Sequence, residues 1–210
     1  FMDSVRWGIF YNAGQVCSAM SRVIAHQDVH DEIVARCVAL AESLSIGPGI
    51  ERRDFGANMG AMISDGQRDR AEGLVAGAER DGAQIVTGGH RLNTPGAFLA
   101  PTVLKDVTPD MHISGTEVFG PVLSVMKTDT ENQALEIANG TEYGLVGGIF
   151  TADIDTAHRA ARHIRAGQIF INEWFAGGVE TPFGGFGKSG YGREALWNYL
   201  QTKNIAYRTR

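Results

Sequence analysis

The stretch FYNAGQVCSA, residues 10–19, sets a single thiol, Cys17, among small and amide side chains. A cysteine becomes a useful nucleophile when a helix N-terminus, a nearby cation or a base favours its thiolate over the thiol, whose free pKa is about 8.5. Ala13 and Gly14 before it, with Ser18 and Ala19 after it, leave the sulfur reachable. Free cysteine is also among the most buried residue types, so local chemistry leaves two readings open: an activated nucleophile, or a small apolar side chain filling a core. The second cysteine, Cys37, lies in the helical run DEIVARCVAL, away from the glycine-bearing turn of the first. A disulfide framework is not indicated, which suits a reducing compartment and a cytoplasmic location.

Two other patterns resemble chemistry and fail on context. GFGKSG, residues 185–190, satisfies G-x-G-x-x-G, but a dinucleotide fingerprint needs a strand directly before it and a helix directly after, and here Pro182 intervenes. The GKS within it lacks the glycine that a phosphate loop places five residues earlier, where Pro182 stands. The stretch reads as a glycine-rich surface or interface turn. Among the six histidines, His26 and His30 straddle a strand-to-helix junction, and His158 and His163 have no carboxylate or cysteine at ligand spacing, so no metal site is expected.

The elements that must position Cys17 alternate. SRVIAHQ (21–27) reads as a strand, followed by a helix capped at Asp28 and running to about Leu44, with Val29, Ile33, Val34, Cys37 and Leu40 at helical spacing. A second helix spans 66–82, ended by Asp81-Gly82, and AQIVTGG is the strand after it. VLSVMKT (122–128), GLVGGIFT (144–151) and GQIFIN (167–172) are further strands, separated by the helices ENQALEIANG and DIDTAHRAARHIRAG. This alternation predicts an α/β fold with three αβα layers around a mostly parallel sheet. The tail LWNYLQTKNIAYRTR reads as a short helix and then a polar alternating strand, a sheet edge suited to pairing with another subunit.

Composition narrows the classes of partner. The 210 residues are 43% hydrophobic and 20% charged, enough for a sizeable core. A net charge of −5 with no Lys/Arg-rich run leaves no basic field for nucleic acid, and no apolar run approaches the roughly 20 residues that span a bilayer. Glycine, 27 of 210, stands near twice the usual share of about 7%, pointing to tight turns and close backbone approaches.

Four stretches taken together carry a resemblance. FYNAGQVCSA resembles the cysteine motif of the aldehyde dehydrogenase family, EVFGPV (117–122) its cofactor-contact motif, and PFGGFGKSGYGRE (182–194) its C-terminal signature, with the family-like ANGTEYGL (138–145) between them in family order. The resemblance covers essentially the whole chain. It implies that Cys17 attacks an aldehyde carbonyl to give a thiohemiacetal, with its own backbone N–H forming half of an oxyanion hole. It further implies NAD or NADP as cofactor, with Glu117 at the nicotinamide ribose, Phe119 beside the nicotinamide and Gln67 as another ribose contact. Val16, Ser18, Phe175 and Phe183 match positions lining the aldehyde pocket.

The expected organisation is a catalytic domain over 1–195 and an oligomerisation strand over 196–210 of a homodimer or homotetramer. The family's NAD(P)-binding domain, general-base glutamate and oxyanion asparagine all precede the cysteine motif, so the isolated chain is expected to turn over little. The sequence departs from the family at Thr116, usually acidic, and at Gly187, usually lysine, with Lys188 displaced by one. Two other readings stand beside the hydrolytic dehydrogenase: a coenzyme A-acylating member, and a non-catalytic assembly module in which Cys17 is buried and inert.

Overall fold

A computed structural model describes residues 1–49, 58–175, 178 and 180–209. The chain opens on a helical turn α1 (Met2–Val5), which widens into a π turn over Arg6–Phe10 and then reverses hand at Tyr11–Gly14. Strand β1 (Arg22–His26) follows, then helix α2 (Gln27–Ser43). The cap of α2 is His26, whose Nδ1 accepts from the Asp28 amide at 3.3 Å, and not Asp28 as the spacing predicts. The buried face of α2 is also turned by one residue: His30, Val34, Cys37, Leu40 and Ala41 are buried, while Val29 is exposed.

Short strands β2 (Ser45–Ile46) and β3 (Asn58–Met59) pair in parallel ahead of α3 (Asp65–Arg80). The Ser64 hydroxyl caps α3 by accepting from the Gln67 amide at 3.2 Å, and Asp65 and Arg80 complement the positive and negative ends of its dipole. Then come β4 (Gln84–Thr87), β5 (Thr102–Lys105), a helical turn α4 (His112–Gly115), β6 (Val122–Thr128), α5 (Glu131–Asn139), β7 (Val146–Ile149), α6 (Ile154–His163) and β8 (Gln168–Ile171).

The strands form a four-stranded sheet in the order β1-β6-β5-β4, parallel except for β4 against β5, and a separate parallel pair β7-β8. The fold is α/β with a mostly parallel sheet, as the alternation predicts. β6 explains the core: Val122, Leu123, Ser124, Val125 and Met126 are all buried, so both of its faces are covered. β5, the one four-stranded-sheet member absent from the sequence reading, is buried throughout Thr102–Leu104.

The C-terminal signature folds back on the β7 side. Phe186 N–H donates to the Gly144 carbonyl, Ser189 Oγ accepts from Gly144 N–H, and Lys188 Nζ meets Glu142 Oε2 at 2.6 Å. Gly187 holds φ +60 with the Glu142 carbonyl 2.2 Å from where a Cβ would sit, so this turn needs glycine at position 187. Residues 196–199 form a 3-10 turn, but residues 200–209 carry no strand in the single chain, since an edge strand needs a partner edge to pair with. No helix among the described residues is long and apolar enough to cross a membrane.

Candidate active site

Cys17 is exposed, on a turn closed by Ala19 N–H donating to the Val16 carbonyl at 3.0 Å. The turn is set by three successive left-handed residues, Asn12 (φ 51), Ala13 (φ 52) and Gly14 (φ 69). Left-handed backbone costs about 1–2 kcal/mol at each non-glycine residue, so neighbours must hold it in place. Asn12 Nδ2 donates to the Gln15 carbonyl, and Gln15 Nε2 returns a bond to the Asn12 carbonyl. Gln15 Oε1 also accepts from Ile63 N–H at 2.9 Å, tying the cysteine loop to the segment that leads into α3.

Gly14 packs directly on the loop of EVFGPV. A Cβ at Gly14 would lie 2.1 Å from the Gly120 carbonyl oxygen, so only glycine lets the two loops meet. The second loop is held from its other side: Gln67 Nε2 donates to the Val118 and Phe119 carbonyls at 3.0 and 2.9 Å, and Arg70 donates to the Val118 and Glu117 carbonyls at 2.8 and 2.9 Å. Phe119 is left-handed, φ 55, and 38% exposed.

Two clefts meet at the cysteine loop. The first, about 620 Å³, runs between β1 and residues 144–148 and is lined by Cys17, Ser18, Glu117 and Phe119. The second, about 550 Å³, is lined by Trp7, Tyr11, Trp174 and Phe175, with the carboxylates Asp3 and Glu173. Val16 and Trp174 line both. Cys17 itself lines the first cleft, which bears a carboxylate and an exposed ring, and its neighbour Val16 joins that cleft to the aromatic one, so the turn can present the thiol to a small electrophile close to a flat polar group. Cys37 is a contrast: it is wholly buried, and that burial pushes its thiol up to about 11.

Residues 1–205 match the profile of the aldehyde dehydrogenase family. The chain belongs to the aldehyde dehydrogenase family. The mitochondrial aldehyde dehydrogenase of Leishmania tarentolae is 41% identical over 96% of this chain and 41% of its own length. The betaine aldehyde dehydrogenase of Sinorhizobium fredii is 40% identical over 94% of this chain and 42% of its own. Among solved structures, an NAD+ complex of aldehyde dehydrogenase from Bacillus cereus gives a TM-score of 0.87 at 36% identity, over 92% of this chain and 39% of that one. The chain therefore spans about two fifths of the length of the relatives it matches.

Not every residue picked from the sequence lands on a cleft. Gln67 lines neither; both hydrogens of its amide nitrogen go to the backbone carbonyls of Val118 and Phe119. Phe183 lines neither cleft and pairs through its backbone with Glu194, two bonds of 2.7 Å. Ser18 is buried and lines the first cleft, not the aromatic one. Sequence reading missed Trp7, Tyr11 and Arg70. The aromatic pair was signalled by its spacing of four ahead of the cysteine motif, which brings the ring centroids to 6.0 Å. Arg70 carried no signal, because a surface arginine reveals nothing of the carbonyls it caps.

Proposed function

We propose that residues 1–195 form the catalytic domain of an NAD(P)-dependent aldehyde dehydrogenase, with Cys17 as nucleophile and residues 196–210 making contacts in a cytoplasmic homodimer or homotetramer. The observation that carries this is the exposed Cys17 on a constrained turn where two chemically different clefts meet.

Cys17 adds its sulfur to the carbonyl carbon of an aldehyde, forming a C–S bond and an oxyanion. The Cys17 backbone N–H has no protein partner among the described residues, so it is free to donate to that oxyanion. The aromatic second cleft, with Val16 and Phe175 on its wall, takes the apolar body of the aldehyde. On the other side, the donor set fits a nicotinamide riboside: the exposed Glu117 carboxylate accepts from vicinal hydroxyls, and the half-exposed Phe119 ring offers a flat face. When bound, the dinucleotide supplies the acceptor for the aldehyde's hydride. Cys17 then carries a thioester, which water cleaves to release the carboxylic acid and restore the thiol. An assembly module with an inert cysteine predicts a buried thiol, and exposure of Cys17 runs against it.

The test uses the full-length polypeptide that carries this chain. Cys17→Ser is expected to lower aldehyde-dependent NAD(P)H formation by at least about 10³-fold, as loss of a covalent nucleophile does. Iodoacetamide is expected to label Cys17 well before the buried Cys37, followed by peptide mass spectrometry. Retained turnover in the serine variant, or equal labelling of the two thiols, overturns the reading.

A further inference from the structure

The second cleft combines rings with charge in a way that a neutral ligand leaves unused. Trp7 and Tyr11, four apart, line it with ring centroids 6.0 Å apart and planes tilted by 51°. Trp174 and Phe175 form a second pair on its wall, 6.1 Å apart and near perpendicular at 75°. Neither pair stacks face to face, and Trp7, Tyr11 and Phe175 are 41%, 52% and 42% exposed, so broad ring surface is left uncovered. The face of an indole, phenol or phenyl ring carries negative potential and attracts a cation. Trp174 is the fixed wall: an added Cβ at Gly148 would lie 2.6 Å from its six-membered ring, and one at Gly8 would lie 3.4 Å from its Cδ1. A wall held that firmly loses little freedom when a ligand arrives.

Asp3 and Glu173 add formal negative charge to the same cleft, and both are exposed. Neither forms an ion pair among the described residues, and no lysine or arginine among the described residues lines the cleft. A neutral hydrocarbon seated there strips water from two carboxylates and returns nothing. A cation is attracted by the ring faces and by the carboxylates together.

We propose that this cleft selects aldehydes with a cationic head group, an ammonium separated from the carbonyl by a methylene chain. Trp7, Tyr11, Trp174 and Phe175 form the cage around the head group, and Asp3 and Glu173 supply the counter-charge. Val16 lines the same cleft next to Cys17, so the methylene chain runs past Val16 toward the thiol. The proposal rests on the reading of Cys17 as nucleophile and of this cleft as the aldehyde's, and it names the substrate class.

The experiment compares kcat/KM of the full-length polypeptide for γ-trimethylammoniobutanal and for its neutral isostere, in which carbon replaces the nitrogen. The methylene chain keeps the charge away from the carbonyl, so the two aldehydes differ in recognition and not in reactivity. The cation is expected to be favoured by at least about tenfold at low ionic strength, and the preference shrinks as salt screens the carboxylates. Asp3→Asn/Glu173→Gln removes the charge, and Trp7→Leu removes a ring face while keeping an apolar side chain. Each is expected to lower the cation-to-neutral ratio by at least about threefold, through KM for the cation. A merely structural role lowers both aldehydes alike, and a ratio unmoved in both variants overturns the proposal. Faster turnover of phenylacetaldehyde than of the cation assigns the cleft to neutral rings and also overturns it. Turnover of both isosteres without preference defeats the charge proposal alone and leaves the nucleophile reading standing; turnover of no aldehyde defeats both.

Discussion

At the scale of single residues, Gly14 decides whether the Cys17 loop and the loop of residues 117–120 touch. Its left-handed φ of 69 is shared by Ala13 beside it, so backbone preference alone does not demand glycine. The demand comes from the Gly120 carbonyl, 2.1 Å from the position of an added Cβ, with the Ile9 carbonyl at 3.0 Å. Gly14→Ala is expected to destabilise the chain by about 2–4 kcal/mol, combining overpacking with left-handed strain, and to disturb Cys17 alkylation. Urea unfolding measures the first; a loss below about 0.5 kcal/mol would mean that the loops do not meet as described. The residue scale also separates the two thiols. Both read as cysteine in the sequence, yet one is exposed on a turn and the other is sealed under α2 with its proton held to about pH 11.

Elements show how local chemistry sets the frame around the site. Helix starts follow short polar caps at Ser64, Thr130 and Asp153, each accepting from an amide at the start of the helix it caps. α2 departs from the pattern. His26 closes β1 and caps α2 through Nδ1, while its Nε2–H donates to the Asp129 carbonyl at 3.0 Å, which binds the end of β1 to the end of β6. His26→Ala is expected to lower stability by about 1 kcal/mol, the usual loss of a cap, read by urea unfolding at neutral pH. His26→Asn retains a capping oxygen and is expected to recover part of that loss. If alanine changes nothing, Asp28 is the working cap, as its position in the sequence suggests. The same element scale explains why β5 escaped detection: TVLK is four residues long after a proline, too short for periodicity to separate a buried strand from a buried turn.

For the whole molecule, the central sheet and the β7-β8 pair stand on either side of the cleft that Cys17 opens into. The core lies under β5 and β6, while residues 200–209 run exposed along the surface with no strand partner. Removing residues 201–210 is therefore expected to leave the melting midpoint of the monomeric chain within about 2 °C by circular dichroism, since a terminus unpacked on its own subunit contributes little to that subunit's folding. A larger fall would show that the tail packs on the domain. The sequence by itself determined the α/β alternation and most strand and helix bounds, because hydrophobic period and caps are local properties; Cys17 drew notice from its neighbours, and Glu117 and Phe119 only through the family resemblance of their motif. Tertiary structure alone decided that Gly14 meets Gly120, that Gln67 and Arg70 grip a backbone about 50 positions away, and that Phe183 lies off both clefts. The reason is physical: carbonyl capping and loop contact depend on where distant backbone comes to rest, and no side-chain pattern along the chain records that.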